Sequence, residues 1–360
     1  MEEEKMYDFH YAALPIDVYF GLGKSAHVRN ILIKNGYRRV LVITTPGQEE
    51  AGQDLSNKLD DIAIGVYPYA VMHVPAEVAN KAVEFVKFND VDCCIALGGG
   101  STIGLAKIIA LKTHLPIVAI PTTYAGSEMT SIYGMTDNHL KTTGKDIHVL
   151  PKIVVYDPEL NLTLPAQISA CSGMNAMAHA IEALYAKEKN PIISLMAIES
   201  IKALKSALPI IVGDLTNISA RARATYGAWL AGICLGSVGM AIHHKICHTL
   251  GGTFNLEHAQ AHAITLAYSV HYNRNADIEA MDRLAEALGV DNREKVGLAI
   301  YRLNEALGIK MALKDLGLPK EGPAAVARIV CDSPYYNPRE YNYKEIRDLL
   351  EKAYKGLPPI

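Results

Sequence analysis

The chain has 360 residues, of which 50% are hydrophobic, and a formal net charge of −3 at pH 7. This length exceeds the usual size of a single hydrophobic core, so we predict two domains. The charge lacks the basic excess of nucleic-acid-binding proteins and of proteins that bind anionic membranes, which favours a small soluble partner.

Neither the start of the chain nor its cysteines indicates export. Residues 1–7 are acidic and lack the cationic and apolar regions of a signal peptide. No apolar run reaches the roughly eighteen residues that a membrane span needs. The six cysteines are scattered, without CxxC spacing or the density of a disulfide scaffold. We therefore predict a cytoplasmic protein that contacts neither a membrane nor nucleic acid.

Short β-forming runs alternate with helical segments in the first part of the chain, which is the pattern of an α/β domain with a parallel sheet. The predicted strands are residues 18–21, at an edge of the sheet, 39–44, 61–66, 91–97, 117–120 and 153–157. Predicted helices are residues 76–89 and 103–112, and a hairpin-like piece runs through residues 141–145.

The β-type runs stop at Pro165, and the remainder of the chain is predicted to be helical. We therefore place the domain boundary near residue 163, with an α/β domain at residues 1–162 and a helical domain at residues 163–360. The predicted helices are residues 168–186, 191–208, 218–234, 240–250, 258–273, 278–288 and 293–307.

A glycine run follows the strand predicted at residues 91–97. Gly98, Gly99 and Gly100, with Ser101, let backbone N–H groups approach a ligand, and the next helix presents its N-terminus to an anion. The sequence therefore predicts a pyrophosphate cradle, although such a run can equally be a plain turn and matches neither GxGxxG nor the P-loop. The next strand brings hydroxyl groups to the same edge of the sheet. These belong to Thr122, Thr123 and Ser127, residue types that are also common in ordinary turns.

A dense group of potential metal ligands and proton carriers lies between Asn175 and His262. Asn175 and His179 are four residues apart, as are His244 and His248, so each pair shares a helix face. If Asn175, His179, His244 and the later His258 converge, with His248 one turn away, they would suit a divalent metal. One histidine on an apolar helix is more often a hydrogen-bonded core residue, but this density favours a functional site. The amide of Asn175 is a weak ligand where a carboxylate is expected.

These motifs, in this order, resemble those of the iron-containing alcohol dehydrogenase superfamily. Residues 121–130, 172–179 and 243–256 resemble its maleylacetate reductase branch closely. The resemblance implies a Rossmann-like amino-terminal domain and a helical carboxy-terminal domain, the dehydroquinate synthase-like fold. It also implies reduction of the carbon–carbon double bond of 2-maleylacetate to 3-oxoadipate with NADH or NADPH, in bacterial degradation of aromatic compounds, by a protein that is commonly a homodimer.

The resemblance also implies site residues. Metal-using relatives hold their ion on an aspartate and three histidines, which correspond here to Asn175, His179, His244 and His258. Because the aspartate is missing, we expect a vestigial site and no essential metal. Cofactor contacts are expected from Thr45, Pro46, Gly98, Gly99, Gly100, Ser101, Thr122, Thr123, Ser127 and Lys145.

Reduction of an enone-like acid needs a proton donor, for which a histidine is suited. We predict His248 in this role, with His244 and His243 as the next candidates. A dicarboxylate substrate needs cationic or multiple donor groups. We predict these at Lys245, His179, His258 and Asn175, with Lys141 or Lys145 as further candidates, each of which is otherwise a solvated surface lysine.

Two other activities stay open. A metal-dependent alcohol or hydroxyacid dehydrogenase of the same superfamily would lose activity on chelation and would turn over simple alcohols. A lyase resembling dehydroquinate synthase would recycle its NAD and would need more basic residues and a carboxylate ligand around the metal. Asn175 disfavours both activities, because it replaces the carboxylate.

Overall fold

The computed structural model describes residues 8–137 and 140–360, and for Leu140 and Lys141 only the backbone. The acidic residues 1–7 and the candidate side chain of Lys141 therefore lie outside the described part. By its contacts the chain divides into two compact units. An α/β unit spans Ala13–Leu164, and a helical unit spans Pro165–Ile360 with the described residues before Ala13. The predicted division at residues 1–162 and 163–360 had assigned those first residues to the α/β unit.

Six parallel strands form the sheet of the α/β unit, in the order β1-β8-β5-β4-β2-β3. They are β1 (Asp17–Phe20), β2 (Val40–Ile43), β3 (Ala63–Tyr67), β4 (Cys93–Gly98), β5 (Ile117–Pro121) and β8 (Ile153–Tyr156). A separate antiparallel hairpin consists of β6 (Ile132–Asp137) and β7 (Leu140–Lys145). The helices of this unit are α1 (Val28–Lys34), α2 (Glu49–Leu59), α3 (Ala76–Phe88) and α4 (Gly100–Thr113).

The inner strands β2, β4, β5 and β8 are buried throughout because both faces of the sheet are covered, whereas Asp17 of the edge strand β1 is exposed. In β2, Val40 and Val42 belong to one hydrophobic cluster, whereas Leu41 and Ile43 belong to a second cluster. Successive side chains of a strand point to opposite faces, so a sheet with a core on each side requires apolar residues at every position. The predicted α/β class and the edge position of β1 are confirmed.

The strand order creates a switch point at the carboxyl ends of β2 and β4. From β2 the chain moves outward to β3, whereas from β4 it moves in the opposite direction to β5. Open α/β sheets bind ligands at such a point, because the two connections leave a crevice there. The residues that follow β2 and β4 are Thr44 and Thr45 on one side and Gly99 on the other.

The helical unit surrounds α5, whose residues from Ser169 to Leu184 are all buried. Small side chains permit this burial, since a Cβ atom at Gly173 would clash with Leu208. A helix buried on all sides must satisfy each of its polar groups internally. The helices are α5 (Ala166–Leu184), α6 (Pro191–Gly213), α7 (Ile218–Ser237), α8 (Ile242–Phe254), α9 (His258–Asn273), α10 (Ile278–Leu288), α11 (Val296–Ala306), α12 (Gly322–Asp332) and α13 (Tyr343–Lys355).

Most predicted helices are confirmed, and several of their boundaries were wrong, two of them for a clear physical reason. Helix α6 continues beyond Leu208 to Gly213 with Pro209 inside it, because burial of Ile211 offsets the backbone hydrogen bond that proline cannot make. Helix α4 begins at Gly100 rather than at residue 103, so the glycine run forms the start of the helix itself. Among the described residues, no single helix has the length and hydropathy to cross a membrane, and α7 and α8 meet that test only jointly, across a 95° bend.

Candidate functional site

The glycine turn after β4 is shaped by contacts that exclude side chains. Gly98 has a φ of +148°, and a Cβ atom there would lie 2.5 Å from Thr102 Oγ1 and 2.8 Å from Gln48 Oε1. A Cβ atom at Gly99 would lie 3.0 Å from the side chain of Thr123. Because α4 begins at Gly100, its first N–H groups have no partner within the helix and point towards this turn. The geometry is that of an anion cradle.

Thr45 and Thr122, two further predicted cofactor residues, belong to segments that meet at the same turn. Thr45 precedes a short 3-10 turn, Pro46–Gln48, and Gln48 Nε2 donates a hydrogen bond of 3.0 Å to Thr122 Oγ1. The backbone N–H of Thr122 donates to the carbonyl of Gly98 at 3.1 Å. The residues after β2, β4 and β5 are thereby tied together at the switch point. Ser127 begins another 3-10 turn, and Lys145 ends β7 opposite Ile132.

We predict that Gly98→Ala weakens NADH binding about tenfold to a hundredfold, because strain and the clash with Thr102 together cost about 1–3 kcal/mol. Gly100→Ala is the matched control, since it adds the same methyl group in the same turn with nothing within 4 Å of it. Fluorescence titration with NADH measures both affinities. Native NADH affinity in the Gly98→Ala variant would show that the turn does not hold the cofactor.

The sequence analysis missed a buried lysine beside this region. Lys107, on α4, donates hydrogen bonds of 2.8 Å to the carbonyl of Thr130, the hydroxyl of Thr130 and the carbonyl of Ile132. Burial lowers the pKa of Lys107 to about 7, and nearby Glu128 opposes that shift. Lys107 therefore anchors the segment that follows Ser127, and its position within an apolar helix gave no signal of this role.

Three helices of the other unit bring the predicted histidines together. Helix α5 carries His179, helix α8 carries His244, and helix α9 carries His262. The ring centroid of His244 lies 5.0 Å from that of His179 and 4.8 Å from that of His262. The predicted residues His179 and His244 therefore lie side by side, and His262, which was not among the predicted site residues, lies next to them.

Glu182 connects α5 to the start of α8. Its carboxylate accepts hydrogen bonds of 2.8 Å from the backbone N–H groups of Ala241 and His243, and a third of 2.6 Å involves His244 Nδ1. A carboxylate at a helix N-terminus satisfies N–H groups that the helix leaves unpaired. Glu182 lies on the face of α5 that carries Asn175 and His179, at spacings of seven and three, and that spacing was the available signal for it.

His243 and His262 form a second chain of hydrogen bonds. Ser269 Oγ donates to carbonyls of its own helix, so it accepts from His243 Nδ1 at 3.0 Å. The other ring nitrogen of His243 lies 3.1 Å from His262 Nδ1. With Nδ1 of His243 donating, its Nε2 accepts, and His262 Nδ1 is the donor.

These partners leave one nitrogen of each of two rings without a hydrogen-bond partner. His244 donates through Nδ1 to Glu182, and His262 donates through Nδ1 to His243, so the Nε2 atom of each ring is an acceptor. Within the described part of the chain, both Nε2 atoms, Asn175 Oδ1 and His179 Nδ1 are buried without a hydrogen-bond partner. Such atoms require a bound ion, a ligand or water.

Burial determines the charge of this cluster. It lowers the pKa of His244 to about 3, and it places the pKa values of His179, His243 and His262 well below the ordinary value of histidine. Burial also raises the pKa of Glu182 to about 7, against the opposing effect of its N–H donors. The buried imidazoles are therefore neutral near pH 7.

The remaining predicted residues lie nearer the solvent. His248 is exposed, Lys245 and His258 are partly exposed, and the rings of His248 and His258 stack with centroids 5.9 Å apart. The cluster thus has a buried part, in which hydrogen bonds fix the rings of His243, His244 and His262, and a solvent-facing part that contains His248.

Comparisons with known proteins agree with this architecture. Residues 15–158 match the iron-containing alcohol dehydrogenase family, and residues 169–354 match the carboxy-terminal region of the Fe-containing alcohol dehydrogenase family. The chain is 48% identical over 352 residues to the maleylacetate reductase of Sphingobium indicum, covering 98% of this chain and 99% of that protein.

Solved structures are similar over nearly the whole chain. The crystal structure of maleylacetate reductase from Agrobacterium tumefaciens has a TM-score of 0.94 at 43% identity, covering 98% of this chain and 100% of that one. The crystal structure of sulfoacetaldehyde reductase from Bifidobacterium kashiwanohense in complex with NAD+ has a TM-score of 0.89 at 25% identity, covering 96% of this chain and 98% of that one. This chain belongs to the iron-containing alcohol dehydrogenase family of oxidoreductases, in the branch that contains the maleylacetate reductases.

Proposed function

We propose that this protein reduces the carbon–carbon double bond of 2-maleylacetate to give 3-oxoadipate, with NADH or NADPH as the reductant, during the degradation of aromatic compounds. The observation that carries the proposal is 48% identity to a maleylacetate reductase along almost the entire chain. The relative solved in complex with NAD+ supports the choice of a nicotinamide cofactor. We retain a homodimer and a cytoplasmic location as parts of the same proposal.

The reaction needs a hydride and a proton. The nicotinamide supplies the hydride, which forms a C–H bond at the carbon β to the ketone, while the electrons of the double bond move towards the ketone oxygen. A proton donor of the protein then completes the new C–H bond at the α carbon. We assign the donor to His248, because the nitrogen atoms of His243 and His244 that carry protons are already bound to Ser269 and Glu182.

The carboxylates of the substrate need cationic groups or hydrogen-bond donors, and few side chains of the cluster can supply them. Lys245 is cationic and partly exposed, His258 is partly exposed beside His248, and the amide of Asn175 can donate through its nitrogen. We propose that these three residues contact the carboxylates, with His179 at the buried end. His258→Ala and His179→Ala are expected to raise the KM for maleylacetate after metal has been removed, and an unchanged KM would reject the assignment.

The family's metal fits part of this residue set. His179, His244 and His258 can supply imidazole ligands, and Asn175 Oδ1 is a buried acceptor in need of a partner. A metal held there would polarise the ketone oxygen of the substrate. We propose that reduction does not require it, because Asn175 supplies no negative charge and the ion would be balanced only through Glu182 and His244.

We predict that NADH and NADPH are both used, with values of kcat/KM that differ by less than about a hundredfold, or about 2.7 kcal/mol. The reason is that Thr45 follows β2 at a position where an acidic residue would bind the ribose 2′-OH and repel a 2′-phosphate. Thr45→Asp is expected to shift the ratio towards NADH at least tenfold. A native preference for NADH of more than about a hundredfold in kcat/KM would contradict the prediction.

A single assay tests the function. Purified protein is mixed with maleylacetate, and the decay of NADH or NADPH absorbance is followed before and after treatment with EDTA. Decay that persists after EDTA supports a reductase without a required metal. Activity only on simple alcohols, and lost with EDTA, would favour the metal-dependent dehydrogenase, and turnover without net consumption of the cofactor would favour the lyase.

A further inference from the structure

Residues 122–131, between β5 and β6, include three side chains with hydroxyl groups that we expect to contact the cofactor, and we call them the hydroxyl segment. The start of this segment is tied to the glycine turn, because the backbone N–H of Thr122 donates to the carbonyl of Gly98 at 3.1 Å. Ser127 lies five residues further along. Its position therefore depends on what holds the end of the segment.

Lys107 holds the end of the hydroxyl segment against α4. Its ammonium group is buried and donates at 2.8 Å to the carbonyl of Thr130, to the hydroxyl of Thr130 and to the carbonyl of Ile132. The hydroxyl of Thr130 in turn donates to the carbonyl of Ser127 at 3.2 Å. An ammonium group has three hydrogens, so each of them has an acceptor at the end of this segment.

Lys107 also belongs to the helix that begins at the glycine turn. Helix α4 starts at Gly100, and Lys107 follows seven residues later, which is two helical turns. One helix therefore carries the anion cradle at its first turn and the anchor of the hydroxyl segment about 10 Å further along. The spacing between the cradle and the hydroxyl groups is fixed only while this anchor is in place.

Glu128, within the hydroxyl segment, is the charge that balances Lys107. It is buried, one of its oxygens accepts from the hydroxyl of Tyr156 on β8 at 2.8 Å, and the other has no hydrogen-bond partner among the described residues. Burial raises the pKa of Glu128 and lowers the pKa of Lys107 to about 7, and each group opposes the shift of the other. Removing either group would leave an uncompensated buried charge.

We propose that Lys107 is a positioning residue for cofactor binding, which holds Ser127 and the rest of the hydroxyl segment in the place where they contact the nicotinamide cofactor. Lys107 acts through Thr130 and does not itself touch the cofactor, because it is buried. Glu128 balances the charge of the anchor. The inference rests on the cofactor of the proposed function but not on its substrate.

Titration of the full-length protein with NADH, followed by fluorescence, tests the inference without substrate. Lys107→Met keeps the apolar stem and removes the three donors, so we expect the Kd for NADH to rise at least tenfold. With maleylacetate present, the KM for NADH is expected to rise equally and kcat to fall less than threefold, since saturating NADH compensates for weak binding. Lys112→Met is the matched control, because it makes the same change at an exposed position of α4, where Lys112 donates to the side chain of Asn80. Its Kd is expected to be native.

A second substitution separates positioning from general stability. In Lys107→Met the carboxylate of Glu128 is left uncompensated, so adding Glu128→Gln is expected to restore part of the lost stability in urea denaturation. The new amide oxygen still accepts from Tyr156. The carbonyls of Thr130 and Ile132 remain without their donor, so the Kd for NADH is expected to stay at least tenfold above the native value.

If Lys107→Met does not fold, Thr130→Val tests the other end of the same hydrogen bond, since it removes the hydroxyl between Lys107 and Ser127. Its Kd for NADH is expected to rise at least threefold.

A native Kd in Lys107→Met, or in Thr130→Val if that variant replaces it, would overturn the inference. Recovery of the Kd together with stability in the double variant would overturn it as well, and so would absence of NADH binding by the native protein. A native protein that binds NADH without reducing maleylacetate would refute the proposed substrate, while the titrations would still decide the role of Lys107.

Discussion

Glu182→Ala is expected to lower the free energy of unfolding of the helical unit by about 3–5 kcal/mol. The carboxylate is fully buried and accepts from the N–H groups of Ala241 and His243 and from His244. Alanine would leave three buried donors without a partner at the start of α8, and each such group costs about 1–3 kcal/mol. Urea denaturation followed by circular dichroism measures the change.

Glu188→Ala is the matched control for this substitution. Glu188 also accepts a backbone N–H, that of Gly239 at 3.1 Å, in the same connection between α7 and α8, but its side chain is exposed. Water replaces a lost acceptor at an exposed position, so we expect a change below about 1 kcal/mol. A Glu182→Ala variant no less stable than the Glu188→Ala variant would mean that the carboxylate does not hold α8.

His248→Ala is expected to lower kcat for maleylacetate by about a hundredfold or more, which is the usual contribution of a general acid. His248 is exposed at the solvent-facing end of the cluster, whereas burial keeps His243 and His244 neutral and hydrogen bonding fixes their protons. Single-turnover measurement of NADH oxidation isolates this step from release of the product. The KM for NADH is expected to remain unchanged.

A change of pH profile distinguishes a proton donor from a residue that only shapes the site. Loss of His248 is expected to remove the alkaline limb of the kcat profile, because water then supplies the proton. His258→Ala serves for comparison, since its ring stacks on His248 but is assigned to substrate binding, and it is expected to change KM more than kcat. A fall in kcat below about threefold for His248→Ala would remove the assignment.

Much of the α/β unit could be predicted from sequence because its inner strands carry apolar residues at every position. Runs such as Val40–Ile43 lie between two cores, and that requirement is visible in the sequence. Helix α2 could not be predicted in the same way, since Glu49–Leu59 is mostly polar and buries only a few side chains. The prediction ended helix α6 before Pro209, because proline usually ends a helix. In the structure the helix continues to Gly213, since tertiary packing outweighs that local preference.

The proximity of His179 and His244 could be predicted from sequence, whereas their hydrogen-bond partners could not. Spacing along a helix placed Asn175 beside His179 and His244 beside His248, and clustering followed from it. The bond from His244 to Glu182 joins residues that are 62 positions apart, and the bond from His243 to Ser269 joins residues 26 positions apart. No local sequence pattern specifies such pairs. The tautomers of His243 and His244, and the nitrogen that is left without a partner, can therefore be assigned only from the folded structure.

The strand order also affects how the sheet folds during synthesis of the chain. Strand β1, near the start of the chain, pairs with β8 and with no other strand of the described sheet. A ribosome therefore releases β1 long before its neighbour exists, and closing that loop has an entropic cost that local contacts do not offset. Until β8 has been synthesised, β1 stays unpaired in the nascent α/β unit. At that stage we expect chaperone binding and aggregation to compete with folding.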